Sequence, residues 1–132
     1  MSQLQPWGLL LGRLLLAYIF VVAGYGKIVG FAGTAKYMAS KGLPMVEVLL
    51  VATIVIELVG GLMLAVGWKA RWAASAFFLW LIPVTLLFHA YWGIPQDQVM
   101  MQTIQFQKNL AIMGGMLFVV FCGPGRLSLD RA

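Results

Sequence analysis

The chain has 132 residues, of which 62% are hydrophobic and 10% are charged, and a soluble domain of this length has too little interior to bury so much apolar surface. The formal charge of +5 comes from basic residues scattered along the chain, which argues against a nucleic-acid partner and fits cations that report membrane topology. The single cysteine, Cys122, excludes an extracellular disulfide scaffold. We therefore predict an all-α, polytopic membrane protein forming one domain over residues 1–132.

Four apolar segments are each long enough to cross about 30 Å of hydrocarbon, which takes about 20 residues. They cover approximately residues 7–26, 45–67, 72–92 and 104–122. The first segment has no Lys or Arg before it and no small-residue cleavage site, so we expect a retained span and not a secretory signal. These segments predict a four-helix transmembrane bundle.

The connections between the spans carry helix and turn signals. In the first connection, Thr34 is a candidate N-cap and Gly42 and Pro44 are stop signals, which predicts a short interfacial helix near residues 34–41. The tight GWKAR connection makes spans two and three antiparallel neighbours. The third connection is predicted to be a polar loop opened by Pro95.

Aromatic and basic residues predict the orientation of the chain in the membrane. Trp and Tyr concentrate at membrane interfaces. One predicted belt contains Trp7, Trp68 and Trp72, and the other contains Tyr25, Tyr37, Tyr91 and Trp92. The basic residues on the two sides are Lys69, Arg71, Arg126 and Arg131 against Lys27, Lys36, Lys41 and Lys108. Because Arg13 adds to the side of the termini, we expect both termini in the cytoplasm.

Two opposite charges lie within the apolar spans, where a charged side chain is expensive and needs a partner. Gly26 and Met45 are the ends of spans one and two on the loop side that the two spans share. Arg13 and Glu57 are separated from these ends by similar numbers of residues, so both lie about 18–20 Å deep. Equal depth on consecutive helices predicts an Arg13–Glu57 ion pair. The pair could be a structural clamp, or Arg13 could tune Glu57 as a buried proton acceptor.

Each span carries one stripe of polar and small residues at helical spacing, as expected for the inward face of a bundle. In spans one and two these stripes contain Arg13, Ala17, Phe20, Gly24 and Lys27, and Thr53, Glu57, Gly60 and Gly61. In span three, with a kink predicted at Pro83, and in span four they contain Ser75, Phe78, Ile82, Thr85, His89 and Trp92, and Gln105, Lys108, Asn109 and Ile112.

Depth divides the polar residues into two layers. Lys27, His89, Lys108 and Asn109 all fall near the loop-side interface, and Arg13 and Glu57 lie deeper. This convergence of cations and hydrogen-bond donors above one buried acid predicts a pocket at the edge of the membrane. Two plainer interpretations stay open: Lys108 could simply snorkel to the headgroups, and His89 could be a satisfied interfacial histidine.

Two segments are distinctive, namely G-x-G-K-I-x-G-F at the end of span one and F-x-K-N-L-x-x-x-G-G at the start of span four. Together with IELVGGLMLAVGWKARWAA, FHAYW and CGPGRLSLDR, they make nearly the whole chain resemble the DoxX family of small bacterial inner-membrane proteins, in particular its YqjF-type members. The positions that match the family pattern are Arg13, Gly26, Lys27, Glu57, Gly60, Gly61, His89, Lys108, Asn109, Gly114 and Gly115.

The resemblance implies a four-helix protein of the bacterial inner membrane. It also implies a link to redox chemistry, since the family takes its name from a small subunit connected with quinone-reducing sulfur oxidation. Other members are described as integral partners of redox and detoxification assemblies. Many members have no assigned activity, so the resemblance implies no role for any single residue.

The residue inventory limits the chemistry that the chain can carry alone. One His and one Cys exclude bis-histidine haem, a four-cysteine iron–sulfur centre and a Cys-x-x-Cys dithiol. No phosphate-binding glycine loop follows a strand, and the scattered methionines indicate no metal site. We therefore expect no haem, iron–sulfur, nucleotide or metal cofactor, and at most a subunit of an oxidoreductase.

A quinone site needs fewer groups, namely hydrogen-bond donors near the ring oxygens and a titratable group that handles protons. Lys27, His89, Lys108 and Asn109 are the candidate donors, and Glu57 is the candidate proton acceptor. The apolar walls are predicted to be Phe20, Phe78 and Ile82. One hypothesis is thus a quinone- or quinol-binding subunit that receives electrons from a partner protein.

Two other functions stay open. The chain could be a non-enzymatic scaffold or assembly partner, which its short hydrophilic loops favour. It could also be a small transporter formed by a homo-oligomer, although no inverted internal repeat is visible. Membrane lipid is an expected contact in every case.

Overall fold

The computed structural model describes residues 3–131, which fold into five α-helices. These are α1 (Gln5–Val29), α2 (Phe31–Ser40), α3 (Val46–Val66), α4 (Ala70–Phe88) and α5 (Gln96–Cys122). Four of them, all except α2, are long and apolar enough to cross a membrane, and the described part of the chain contains no strand. The predicted all-α, four-span architecture is confirmed.

The ends of α4 and α5 differ from the predicted spans. Helix α4 ends at Phe88, four residues before the predicted limit, because the chain turns through Gly93 (φ 69°) and Pro95. The aromatic residues of this connection fold back on α5, where the rings of Tyr91 and Trp92 lie 5.3 and 5.8 Å from that of Phe106. Helix α5 begins eight residues earlier than predicted. The first two turns of α5 are helical, but they are polar and therefore lie outside the span that the apolar run predicted.

The short helix between the first two spans is present, but it begins three residues earlier than predicted. Gly30 is the N-cap of α2, and Thr34 lies inside the helix, where its hydroxyl donates to the carbonyl oxygen of Gly30. The prediction of Thr34 as N-cap was therefore wrong. A threonine hydroxyl can also donate to the carbonyl oxygen four residues earlier inside a helix, so the residue type alone does not mark the N-cap. Gly42 follows the helix with a φ of 79°, as a stop signal requires.

The four long helices alternate in direction. We call the end of the bundle where α1 and α4 begin the terminal end, and the opposite end, which carries α2, the loop end. Glycines set the spacing of α1 and α3: a β-carbon added at Gly24 would lie 2.8 Å from Cγ of Leu58, and one at Gly61 would lie 2.9 Å from Cγ2 of Val21. Helix α3 also contacts α4, α4 contacts α5, and α5 contacts α1, so the four long helices form a closed ring of neighbours.

The core is aromatic between α1 and α4. Phe20 stacks on Phe77 with ring centroids 4.1 Å apart, and Trp80 meets Phe20 edge-on at 6.5 Å. Phe77 in turn packs over Gly60 of α3, where an added β-carbon would lie 2.9 Å from the ring. Because the backbones of α1 and α4 stay more than 8 Å apart along the described chain, aromatic side chains hold these two helices together.

Candidate functional site

A cavity of about 320 Å³ lies at the loop end of the bundle and is lined by residues of all five helices and by His89. It brings together five of the six predicted site residues, namely Lys27, Glu57, His89, Lys108 and Asn109. These residues come from four segments that lie far apart in sequence. The structure therefore places the predicted donors and the buried acid around one space.

The buried acid is paired with a lysine across the α1–α3 contact. Nζ of Lys27 lies 2.8 Å from Oε1 of Glu57, and the Glu57 side chain is only 5% exposed. At this distance the Lys27 ammonium group is the partner of Oε1, and the paired carboxylate borders the cavity. A carboxylate has several lone pairs, so Glu57 can also accept a hydrogen bond from a ligand in the cavity.

The donors on α4 and α5 are held by side-chain hydrogen bonds between the two helices. Asn109, which is buried, donates from Nδ2 to the hydroxyl of Thr85 at 3.1 Å. Nδ1 of His89 lies 3.0 Å from Oε1 of Gln102, a partner that the sequence analysis did not identify. Both residues remain on the cavity wall, so these bonds fix their positions next to the space.

Lys108 lies on the same wall as Asn109 but has a different environment. It is exposed, and within residues 3–131 no carboxylate lies within 4.0 Å of its ammonium group. Gln105 and Ile112 line the cavity on either side of it, so the whole predicted polar face of span four borders the cavity. Lys108 and Asn109 of the F-x-K-N-L segment thus face a space between the helices, as was predicted for this face.

The apolar walls were predicted only in part. Phe20 lines the cavity as predicted, whereas Phe78 and Ile82 do not, and Ile82 is 40% exposed. Trp80 and Leu81 stand in their place. The inward face of α4 is rotated by about one residue from the predicted stripe, because Phe77 fits over Gly60 of α3 and this packing determines which face is buried.

Helix α2 supplies a wall that the sequence analysis missed. Thr34, Tyr37 and Met38 line the cavity, and the Tyr37 ring lies 5.8 Å from that of Phe88 at the end of α4. The available signal was the short amphipathic pattern of residues 31–40, which indicated a helix at the interface but not which other helices it covers. In the structure α2 covers the loop end of the bundle.

Arg13 does not belong to this cavity, and the predicted Arg13–Glu57 ion pair is wrong. Arg13 is 2% exposed and donates to backbone carbonyl oxygens: Nη1 to Pro124 at 2.5 Å, Nη2 to Leu127 at 2.8 Å, and Nε and Nη2 to Ala65 at 3.3 Å each. Since Gly24 is level with Glu57, Arg13 lies 11 residues, or about 16 Å, away along α1.

The error came from treating the loop-side ends of α1 and α3 as level. Helix α3 extends about one and a half turns beyond the end of α1 at the loop end, and α3 also contacts α2. Counting depth from each helix end therefore placed Glu57 level with Arg13, whereas Glu57 is level with Gly24, closer to the loop end. The carbonyl groups at the end of α3 and in the C-terminal segment accept hydrogen bonds from Arg13. These bonds stabilise a charged side chain that would be costly without partners in a membrane span.

The C-terminal segment, residues 123–131, is a second feature that the sequence analysis missed. It folds back over the terminal end, where the two Asp130 carboxylate oxygens accept hydrogen bonds from the backbone N–H groups of Lys69 and Ala70, each at 2.8 Å. The backbone N–H groups of Leu129 and Asp130 donate to Val66 and Gly67. The segment thereby connects the end of α3 to the start of α4.

The fold and the cavity define a small four-span membrane protein with a polar space at one end of its bundle. Comparison with known proteins gives the family. The DoxX family model matches residues 8–90, and the chain belongs to this family. It is 35% identical to the inner membrane protein YphA of Escherichia coli strain K12 over 127 residues, which are 96% of this chain and 91% of that protein.

It is also 37% identical to the inner membrane protein YqjF of the same organism, over 99% of this chain and 95% of that protein. A shorter similarity, 28% identity over 52% of this chain and 24% of the other, links it to a Surfeit locus protein 4 homolog of Schizosaccharomyces pombe. No solved structure matches the chain. These similarities and the four apolar helices make it a multi-pass protein of the bacterial inner membrane.

Proposed function

We propose that this protein binds a quinone or quinol in the loop-end cavity and acts as a subunit or partner of a membrane oxidoreductase system. The observation that carries the proposal is the convergence of Lys27, Glu57, His89, Lys108 and Asn109 on one cavity with apolar walls. Ligand sites of membrane-soluble rings require that combination, because the walls take the ring and a few polar groups orient it.

The residues present fit such a group. The Glu57 carboxylate borders the cavity and would accept a hydrogen bond from a quinol hydroxyl beside its ion pair with Lys27. Lys108 and Asn109 on the opposite wall would donate to the other ring oxygen. The cavity volume of about 320 Å³ matches the lower limit of ligand sites, so it would hold a ring while an isoprenoid tail lies in lipid.

A bound quinone supplies two-electron redox chemistry, and the chain's own part is to hold the ring and to handle protons. Glu57 is the candidate proton acceptor, and Lys27 stabilises its carboxylate form through the 2.8 Å ion pair. The chain has one His and one Cys, so it lacks the ligands for a bis-histidine haem or a four-cysteine iron–sulfur centre. A partner protein must therefore supply the electrons.

The test is extraction of quinone from the protein purified in mild detergent, followed by mass spectrometry. We expect the wild type to retain quinone and Lys108→Ala to lose most of it. Lys36→Ala is the matched control, because Lys36 is an exposed lysine of α2 that does not line the cavity. His89→Ala should weaken retention without lowering the melting temperature. Equal retention by wild type and Lys108→Ala would contradict the proposed site.

A non-enzymatic scaffold is the second candidate function. It is favoured by the use of buried polar groups for contacts between helices, such as Asn109 with Thr85 and Arg13 with the C-terminal carbonyls. Under this function the cavity residues matter only for stability. Absence of quinone from the wild type, together with capture of the same partner protein by wild type and Lys108→Ala, would favour the scaffold.

We further propose that both termini lie in the cytoplasm, which places the cavity near the periplasmic face. Lys69, Arg71, Arg126 and Arg131 lie around the terminal end and support this orientation. A reporter that is active only in the cytoplasm, fused after the C-terminus, should be active. Activity of a periplasmic reporter at the same position would reverse the orientation.

A further inference from the structure

The groups that line the loop-end cavity do not balance in charge. Three bases, Lys27, His89 and Lys108, border it, but Glu57 is the only acid among its lining residues. The Lys27 and Glu57 charges cancel in their ion pair. Lys108 has no carboxylate within 4.0 Å in the described part of the chain. Lys108 therefore leaves the cavity lining with an uncompensated positive charge.

This charge lies where a ligand from outside can meet it. Lys108 is exposed while also lining the cavity, and the Lys27 side chain keeps 28% of its exposure. Near the terminal end, by contrast, Leu16 packs over Gly115 and brings α1 and α5 together. Towards the loop end the two helices border the cavity from both sides, with Lys27 on α1 and Lys108 on α5.

The cavity is polar at its mouth and apolar at depth. Lys27 is in the last turn of α1, and His89 follows the last residue of α4, so both are close to the membrane surface. Phe20 lies seven residues further into α1, which is about 10 Å deeper. Trp80 and Ile112 complete the apolar part. The space thus has the polarity of an amphiphile with a charged head and an apolar body.

We infer that the loop-end cavity binds an amphiphile with a single anionic head, a carboxylate or a phosphate, whose charge is held by Lys108 and whose apolar body lies against Phe20 and Trp80. The inference goes beyond the proposed quinone site because it requires no redox chemistry, and a neutral quinone leaves the Lys108 charge uncompensated. An anion at the mouth is favoured because an ammonium group near the hydrocarbon is stabilised by an opposite charge.

The first experiment compares 11-bromoundecanoic acid with 11-bromoundecanol, by quenching of tryptophan fluorescence in purified protein in a neutral detergent. Bromine quenches tryptophan only at short range, and Trp80 lines the cavity. Loss of the quenching in Trp80→Phe therefore assigns the signal to the cavity. We expect the acid to bind about tenfold more tightly than the alcohol, which is about 1.4 kcal/mol. Equal affinities, or no quenching by the acid, would overturn the inference without any variant being made.

The second experiment removes the charge. Lys108→Gln should abolish the preference for the acid, Lys108→Arg should keep it, and Lys36→Gln should not change it, because Lys36 does not line the cavity. A preference that survives in Lys108→Gln, with an unchanged melting temperature, would overturn the assignment to Lys108. Quinone retention is measured separately, so loss of the quinone site and loss of the anion site are distinguishable outcomes.

The source of the anion is determined by a third comparison. Native mass spectrometry after exposure to phosphatidylglycerol, phosphatidylcholine and a long-chain fatty acid separates a phospholipid head from a free carboxylate. Retention of phosphatidylglycerol alone identifies a lipid headgroup as the ligand, and retention of the fatty acid alone identifies a carboxylate. The head of phosphatidylcholine is neutral overall. Retention of phosphatidylcholine equal to that of phosphatidylglycerol or the fatty acid would therefore contradict an anion site.

Discussion

Lys27 and Glu57 form an ion pair that joins the last turn of α1 to the middle of α3, with 2.8 Å between Nζ and Oε1. The two partners differ in burial, since 28% of the Lys27 side chain is exposed but only 5% of Glu57. A lysine near a helix end can extend its ammonium group to the headgroups when it loses its partner. A carboxylate in the middle of a span has no such route.

This asymmetry predicts unequal effects of the two single substitutions. Lys27→Met should lower stability by about 3 kcal/mol, because it leaves a buried carboxylate without a counter-charge. Glu57→Gln should have a smaller effect, and Lys27→Met with Glu57→Gln should be more stable than Lys27→Met alone. Melting temperatures in one detergent measure all three. Additive losses in the double variant would show that the two charges do not interact.

The sequence allowed accurate prediction of features that depend on one helix at a time. The inward face of α1 was predicted from helical spacing, and Arg13, Ala17, Phe20 and Gly24 are its four buried residues. The lengths of the apolar runs sufficed for the four spans, because the thickness of the hydrocarbon sets a minimum length.

Features that depend on how helices slide or rotate against each other were predicted poorly. The partner of Arg13 depends on the register between α1 and α3, which Gly24 and Gly61 determine by close contact and not by their distance from a helix end. The inward face of α4 depends on Phe77 fitting over Gly60. The cavity residues converged all the same, although Glu57 and Asn109 lie in the middle of their helices, because α3 and α5 extend further at the loop end than α1 and α4 do.

Arg13 should be essential for stability at the terminal end. Arg13→Ala removes the donors to Ala65, Pro124 and Leu127 and leaves three carbonyl oxygens with lost hydrogen bonds, so we expect a loss of about 3 kcal/mol or more. Arg13→Lys should recover only part of this, because an ammonium group cannot reproduce the guanidinium geometry.

The same residue also tests the register of α1 and α3. Because Arg13 and Glu57 lie about 16 Å apart along the bundle, the losses of Arg13→Ala and Glu57→Gln should add within about 0.5 kcal/mol. The four melting temperatures of this cycle are measured in one detergent. A double variant that is markedly more stable than the sum would bring back the Arg13–Glu57 pair and contradict the structure.

Asp130 should act as a cap for α4 although it is 60 residues away in sequence. Its carboxylate accepts from the backbone N–H groups of Lys69, the N-cap residue of α4, and of Ala70, its first residue, so Asp130→Ala should cost about 1 kcal/mol, as the loss of a helix cap does. Asp97→Ala is the control, since Asp97 lies in the first turn of α5 and is exposed. Proteolysis of the C-terminal segment should become faster in Asp130→Ala only.

The contact between α1 and α3 should tolerate no added methyl group at Gly24. A β-carbon there would lie 2.8 Å from Cγ of Leu58 and 3.2 Å from Cβ of Glu57, and neither atom is the flexible end of its side chain. Gly24→Ala should therefore separate the helices and cost about 1–3 kcal/mol. It should also weaken ligand binding in the cavity, because it displaces Glu57.

Gly26 provides the matched control, two residues along the same helix. An added β-carbon there meets nothing within 4 Å, so Gly26→Ala should leave stability unchanged or raise it by about 0.5 kcal/mol through the higher helix propensity of alanine. Both variants are compared by melting temperature and by ligand titration. If the two have the same effect, the close approach of α1 to α3 at Gly24 is not what positions the Lys27–Glu57 pair.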